Sequence, residues 1–493
     1  MRIYNIISNI NFKNTNINVV YYNDSHGSIK NLHGFCKSHD SYYSRHKHET
    51  NYTLSGGDIF LDESANNLKA AKMLSERTDA FVPGNHDLVS DKYFNRLINK
   101  FKMSNKWVSA NLKFEKETAL KRNIKKSVII DKNGERIGVI GISPLDYRKV
   151  TFVRKENEAI NVQDLDNTIK SVRKEVKKLE RQGIDKVFIL AHTGEFGRNG
   201  EKYYKEFAKI GGVDVIIGGH DHLETNQWLL SERGEPVKVV ATGRSKMHNF
   251  KENLDIFGIL NLEFDDDGVL VKNKSKNRFV KIKENTQSQG EVLTQLKEPL
   301  KRGNSLIHCT EIGNLVADSN LWYVNKHTKG RKADFAFVNS GTIRANFDNK
   351  NVTEEDIVSV LPFSASTLIK APITKKQILN TLNLCALSTS FAKITPGLMQ
   401  VSGMEYTVNP DLTVSDVHIL NSDGTVKYNL DDCDDDKEFI CVYDTFLATG
   451  PIGLDDLKVE KPVEYFKANR QVALKDYLLS SDISDYKNSR VII

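Results

Sequence analysis

Val213-Asp-Val-Ile-Ile-Gly-Gly-His-Asp-His222 is a nearly unbroken, β-branched apolar run that stops abruptly in glycine, histidine and aspartate. Such a run reads as a strand covered on both faces. Polar residues collected at its C-terminal end lie where α/β sheets place their sites. Four other stretches repeat the pattern. Val19-Val-Tyr-Tyr22 runs into Asn23-Asp24, Tyr52-Thr-Leu54 into Ser55-Gly-Gly-Asp58, Ala80-Phe-Val82 into Pro83-Gly-Asn-His86, and Val187-Phe-Ile-Leu190 into Ala191-His192. Glycines beside these polar residues let the backbone turn tightly there. One such run is a strand followed by a turn; five that carry Asp, Asn or His point to one shared site in an α/β fold.

Outward from these strands, Asp164 to Gln182 places apolar residues at helical spacing and stops at Gly183, which predicts a surface helix. From Val271 to Arg302 the chain is lysine-rich and poor in strand signals, and Gln287 to Leu300 is predicted helical. The expected organisation is a first domain over 1–270, a partly helical linker over 271–302 and a second domain over 303–493. A chain of 493 residues suits two or three domains at roughly 150 residues each. The second domain shows Ala333-Asp-Phe-Ala-Phe-Val338 running into Asn339-Ser-Gly-Thr-Ile-Arg344. Asp431 to Asp436, with Cys433 embedded, reads as a solvated acidic turn whose spacing does not match an EF-hand. His33, His39, His46 and His48 fall in a tyrosine- and serine-rich stretch read as a solvated loop.

Composition narrows the function class. With 39% hydrophobic and 27% charged residues the chain is globular rather than fibrous or disordered. The charge of 70 − 64 = +6 is diffuse, which argues against a nucleic-acid partner. Five cysteines without a CxxC pair suggest neither a disulfide framework nor a thiolate zinc site and suit a reducing compartment. Asparagine and serine break every apolar run within Met1 to Phe12, and no window reaches the roughly 18 apolar residues of a membrane span. The expectation is a cytoplasmic protein, or one delivered by a route the sequence hides, with no membrane contact.

The strand-end residues, Asp24, His26, Asp58, Asn85, His86, His192, His220 and His222, form a metal-ligand inventory. Carboxylate, amide and imidazole without thiolate suit manganese, zinc or iron. One ion could take Asp24, His26 and His222 and another Asn85, His192 and His220, with Asp58 bridging, since two close cations need a shared anionic ligand. The pairs Asp24-x-His26 and His220-x-His222 converge on one ion only if the chain leaves β geometry, where alternate side chains share a face.

Asn23-Asp-Ser-His-Gly27, Gly56-Gly-Asp58, Gly84-Asn-His-Asp87, Ala191-His-Thr-Gly194 and Gly218-Gly-His-Asp-His222 resemble, in order, the metallophosphoesterase motifs of the 5′-nucleotidase family. Glu311-Ile-Gly-Asn-Leu-Val-Ala-Asp318, Asn339 to Arg344, Pro362-Phe363, Met399-Gln-Val-Ser-Gly403 and Thr445 to Gly450 are similar to that family's C-terminal nucleotide-recognition domain. The resemblance implies a four-layer α/β metallophosphoesterase sandwich, two sheets between helices, plus a separate α/β substrate-binding domain. It assigns Asp24, His26, Asp58 and His222 to one metal and Asp58, Asn85, His192 and His220 to the other. It also makes His86 the catalytic histidine, Asn339 and Arg344 substrate-gripping residues, and Phe446 one of two aromatics that sandwich a base.

The implied activity is a metal-dependent phosphomonoesterase that uses a metal-bridging water on a small phosphate ester, a nucleotide above all. The rivals are a phosphodiesterase of cyclic nucleotides or nucleotide sugars, a nuclease, and a binding protein with reduced catalysis. Four departures from the family pattern stand out. Val89 replaces the aspartate on which the catalytic histidine leans, Leu398 replaces the second stacking aromatic, Ile452 replaces the acid that binds ribose, and no arginine matches near Glu311. Asp87 and Asp91 are the candidate substitutes for the acid missing at Val89.

Overall fold

The computed structural model describes residues 15–61, 64, 66–88, 90–147, 160–195, 202–243, 256–282, 291–390, 396–450, 453–480 and 486–493. The chain divides into two compact units, with the main break between Asn285 and Thr286. The expectations attached to Met1 to Phe12, Val89, Ile452 and the start of the predicted Gln287 helix lie outside the described residues. Among the described residues no helix is long and apolar enough to cross a membrane.

The first unit is built on two sheets. In the seven-stranded sheet, Thr15–Tyr22, Thr50–Ser55, Ala80–Phe81, Trp107–Val108 and Ile124–Lys125 run parallel; Ile256–Phe264 and then Lys276–Lys281 extend it antiparallel beyond Thr15–Tyr22. The six-stranded sheet has a parallel centre of Pro236–Ala241, Val215–Gly218, Val187–Ala191 and Glu135–Ile142, flanked by antiparallel Thr225–Leu230 and Ser127–Lys132. Alternation along one strand shows why the apolar runs are unbroken. Val19 and Tyr21 face a core shared with Val139, Phe188, Leu190 and Ile217 of the other sheet, whereas Val20 and Tyr22 face a core with Leu32, Phe35 and Leu74 of the covering helices. On the far side, Ile140, Ile189 and Ile216 pack on Val172, Val176 and Leu179 of the Leu165–Arg181 helix. The layers are thus helix, sheet, sheet, helix, as the resemblance implied. Asp164 caps the helix that was expected from Asp164 to Gln182, accepting from Asn167 N, and Gly183 follows at φ 74°.

Two expectations fail. The histidine-rich stretch is a loop only at its end: Ile29–Arg45 is a helix that includes His33 and His39, because Ile29, Leu32, Phe35, Cys36, His39 and Tyr42 recur at helical spacing and are buried, while His46 and His48 follow in a solvent-facing turn. His39 is 4% exposed, with Nε2 at 2.9 Å from Thr53 Oγ1 and Nδ1 at 3.0 Å from Asp40 Oδ1. The segment from 271 to 302 is also not helical where described. Lys276–Lys281 pairs with Ile256–Phe264 at a sheet edge, where alternating exposed Lys276 and Arg278 are tolerated, and Val292–Gln295 pairs with Asn351–Thr353.

The second unit holds a five-stranded sheet in the order Met399–Ser402, Phe335–Asn339, Glu438–Asp444, Thr367–Thr374 and Glu464–Asn469. A four-stranded sheet ends in Val491–Ile492, parallel to Met404–Val408. The Glu311–His327 helix, capped by Thr310, ties down this last segment: Asn314 Nδ2 donates to Tyr486 O at 3.0 Å and Asn488 O at 2.8 Å, and Asp318 pairs with Arg490 through both carboxylate oxygens, at 2.5 and 2.8 Å. Asp431 falls in the short Leu430–Asp432 3₁₀ turn and is exposed, as an acidic turn should be.

Candidate metal centre

Each residue of the ligand inventory sits just past a parallel strand of the first unit. Asp24 and His26 follow Thr15–Tyr22, Asp58 follows Thr50–Ser55, and Asn85 and His86 follow Ala80–Phe81. His192 follows Val187–Ala191, and His220 and His222 follow Val215–Gly218. The backbone does leave β geometry: Asp24, His26, Asp58, His220 and His222 have φ of 53°, 43°, 49°, 90° and 56°. Left-handed backbone costs a side-chain-bearing residue about 1–2 kcal/mol, so the surroundings must hold it. Asp24 N donates to Gly57 O and His26 N to Asp58 O, both at 2.9 Å. The neighbouring loop comes so close that a Cβ on Gly84 would stand 2.0 Å from Asp58 Oδ1.

The donor atoms converge. Asp24, His26 and His222 each offer an atom to one group, Asp24, Asp58 and His192 to a second, and His26, Asp58 and His86 to a third; within each group these atoms lie within 4.8 Å of one another. His26 Nε2 faces His222 Nε2 at 3.3 Å, and Asp24 Oδ1 is 3.5 Å from the latter. His192 Nε2 lies 3.2 Å from Asp58 Oδ2 and 3.9 Å from Asp24 Oδ1, and His220 Nδ1 is 3.0 Å from Asn85 Oδ1. Donors about 2.1 Å from a common ion at a tetrahedral angle stand about 3.4 Å apart, close to these spacings. His86, the catalytic histidine of the resemblance, also belongs to this cluster. Its backbone N–H donates to Asp58 Oδ1 at 2.9 Å, and its ring stands edge-on to His26 at 5.0 Å, within reach of the other donors.

The electrostatics suit a cation. His192 Nε2 is fully buried and makes no hydrogen bond, although its Nδ1 is fixed on Gly56 O at 2.7 Å. Burial opposes a charge on His192, yet the carboxylates of Asp58 and Asp24 outweigh it and hold the imidazole protonated up to about 10. Burial likewise opposes the Asp58 charge, but the His192, His86 and His26 rings keep its carboxyl well below the usual range. His26, by contrast, is pushed down to about 3, mainly by burial. Carboxylates that face buried imidazoles make a place that favours positive charge, and the carboxylate, amide and imidazole donors around it fit divalent ions.

Three acids make contacts that their sequence positions did not reveal. Asp87 does not serve His86: its Oδ2 accepts from Asp58 N and Gly84 N and its Oδ1 from Phe60 N, all at 2.9 Å, so it latches two ligand loops together. Burial and the neighbouring Asp58 charge push its carboxyl up to about 7. Asp91 accepts from Ala119 N and Leu120 N. Asp146, whose Oδ1 lies 3.6 Å from His220 Nε2, follows the Glu135–Ile142 strand. The same strand-end reading extended to a sixth run, Ile140-Gly-Ile-Ser-Pro-Leu-Asp146, would have found it.

The substrate-gripping candidates lie in the second unit. Asn339, 8% exposed, ends the Phe335–Asn339 strand and caps the Ser340–Thr342 turn, its Oδ1 accepting from Gly341 N at 2.9 Å. The Arg344 guanidinium lies over the Phe363 ring at 5.2 Å. Phe446 begins a 3₁₀ turn fixed by Asp444, whose Oδ1 accepts from Leu447 N at 3.0 Å while Oδ2 pairs with buried Arg470. The reading of Leu398 as a residue facing a base is corrected: its side chain is fully buried in the apolar core with Phe337, Met399 and Tyr406. Its N–H donates to Leu306 O at 2.7 Å, which helps to turn it inward.

Residues 17–224 match the calcineurin-like phosphoesterase family and residues 270–458 the 5′-nucleotidase C-terminal domain. The trifunctional nucleotide phosphoesterase protein YfkN of Bacillus subtilis is 26% identical over 482 residues, covering 84% of this chain and 31% of that protein. The chain therefore spans about a third of that relative's length. A Vibrio vulnificus 5′-nucleotidase is 26% identical over 390 residues, covering 68% of this chain and 67% of its own. The 5′-nucleotidase precursor of Thermus thermophilus shares the fold, with a TM-score of 0.69 at 20% identity over 97% of this chain and 99% of its own.

Proposed function

The chain belongs to the calcineurin-like phosphoesterases that carry a 5′-nucleotidase C-terminal domain, and from that premise we propose that it is a dinuclear phosphomonoesterase releasing phosphate from nucleoside monophosphates and related small esters. The observation that supports this reading most is the sharing of Asp24, His26 and Asp58 among three overlapping groups of donor atoms. Asp24, His26 and His222 would hold one divalent ion, Asn85, His192 and His220 the other, with Asp58 common to both; manganese, zinc and iron suit these donors. Such ions, when bound, supply positive charge against phosphoryl oxygens and make an attacking water easier to deprotonate.

The chain's own residues supply position and protons. His86, fixed through its N–H on Asp58 and facing His26, presents an imidazole to the phosphoryl group or its leaving oxygen. Arg344, steadied on Phe363, offers a planar fork for phosphate oxygens, and Phe446 offers one aromatic face to a base. With Leu398 turned into the core, no second ring comes from that position. Loss of one stacking face removes about 1–3 kcal/mol of base recognition, so bases should be accepted with little preference. The test is a set of specificity constants with manganese for AMP, dAMP, UMP and ribose 5-phosphate, beside a diaryl phosphodiester. Comparable values for the four monoesters support the reading. Cleavage of the diester alone overturns it, and a strong preference for AMP overturns the loose base recognition.

A further inference from the structure

We propose that Asp146 is a positioning residue that holds His220 with its Nδ1, rather than its Nε2, turned to a metal ion; the assignment rests on the dinuclear reading above. An imidazole that binds a metal through one nitrogen normally donates the N–H of the other to a carboxylate or carbonyl, which fixes the tautomer and the ring plane. Two rings of this centre divide their nitrogens in opposite senses. His192 places Nδ1 on the Gly56 carbonyl at 2.7 Å and turns Nε2 to Asp58 at 3.2 Å. His220 places Nδ1 beside Asn85 Oδ1 at 3.0 Å and turns Nε2 to Asp146 Oδ1 at 3.6 Å. The outer neighbour of His192 is thus a neutral carbonyl in hydrogen-bond contact, whereas that of His220 is a carboxylate at ion-pair range, whose charge favours the Nε2–H tautomer and leaves Nδ1 free to ligate.

The loop that carries Asp146 is built to stay in place. Ser143 N donates to Asn111 Oδ1 and Asn111 Nδ2 to Ser143 O, both at 2.9 Å, in fully buried surroundings. On the other side, the buried Tyr147 donates its hydroxyl to Leu88 O at 3.0 Å, joining this loop to the one that bears Asn85 and His86. Asp146 is therefore anchored to the same segment as Asn85, the proposed co-ligand of His220. A carboxylate meant only for solvent would not need a brace on each side.

The test is calorimetric titration of the chelator-stripped full chain with manganese, the bound ions being counted by elemental analysis, in wild type, Asp146→Ala, Asp146→Asn and Asp146→Glu. The expected result is two ions in wild type and, in Asp146→Ala, one of them weakened by about 10- to 100-fold, with the other unchanged. Asp146→Asn should be affected as well, because it keeps an acceptor but loses the charge, and Asp146→Glu should recover part of the affinity. The metal-free melting temperature should not change in any variant, which separates positioning from a merely structural role. Two ions held at wild-type affinity by Asp146→Ala and Asp146→Asn would overturn the assignment, as would equal loss of both ions together with a lowered metal-free melting temperature. Fewer than two ions in wild type would overturn the dinuclear reading itself, and this assignment with it.

Discussion

Replacing Asp87 with alanine should unfasten the metal centre without removing any proposed ligand. The carboxylate accepts three buried backbone N–H groups, from Asp58, Phe60 and Gly84, each at 2.9 Å. A buried amide left without an acceptor costs about 1–3 kcal/mol, so three would cost about 3–9 kcal/mol if nothing relaxed. Part of this is returned, because burial and Asp58 disfavour the Asp87 charge enough to push its carboxyl up to about 7. A net loss of about 3 kcal/mol follows, and at about 2–4 °C per kcal/mol for a domain of this size the metal-free melting point should fall by roughly 6–12 °C. Asp87→Asn should lose less, since one oxygen can still serve Asp58 and Gly84 while only Phe60 N faces an amide nitrogen. Scanning calorimetry of the chelated chain measures the shift, and hydrogen exchange at the Asp58, Phe60 and Gly84 amides localises it. A melting point within about 1 °C of wild type, with those three amides still slow to exchange, would refute the latch.

Three other outcomes follow from the described contacts. His86→Ala should lower kcat by roughly 10²- to 10⁴-fold with both ions still bound; elemental analysis that finds an ion lost would instead make His86 a ligand, as its place in the third donor group allows. Arg490→Ala removes both guanidinium bonds from the buried Asp318 carboxylate, whose Oδ1 also accepts from Ser402 Oγ at 2.7 Å, so urea unfolding of the second unit should shift by about 3–5 kcal/mol, and an unchanged midpoint counts against the clamp. Burial holds the His39 imidazole below its usual 6.5 despite the Asp40 hydrogen bond. The unfolded chain therefore binds more protons, and stability that is fully present above about pH 6.5 is lost as pH falls. His39→Gln should flatten the loss between pH 7 and 5 relative to wild type, and parallel profiles would sink the argument.

The strands and the centre they end in were legible because two rules coincide in this chain. Strands covered on both faces write continuous apolar runs, and the polar residues that break them are the site, as Val215–Gly218 followed by His220 and His222 shows. The Leu165–Arg181 helix was legible for a similar reason, its apolar period and both caps being local. What was not legible depends on partners distant in sequence. His39 looks polar, yet Thr53 fourteen residues away lets it enter the core. Leu398 lines up with an aromatic of the family, yet its contacts with Leu306 and the surrounding core decide where it points. Asp87 lies within a motif, but which amides it satisfies is set by loops folding together, and Lys276–Lys281 reads as linker because an edge strand needs only one apolar face.

The left-handed backbone at Asp24, His26, Asp58, His220 and His222 bears on how such a centre persists through evolution. Glycine would relieve the steric penalty at every one of these positions and abolish a proposed ligand each time. Selection for a sturdier chain alone would therefore drift toward a well-folded but inert descendant, and the aspartates and histidines at these turns survive only while turnover is itself selected. A laboratory programme that ranks variants by melting temperature would meet the same slope, so these five positions are the ones to freeze before such a screen begins.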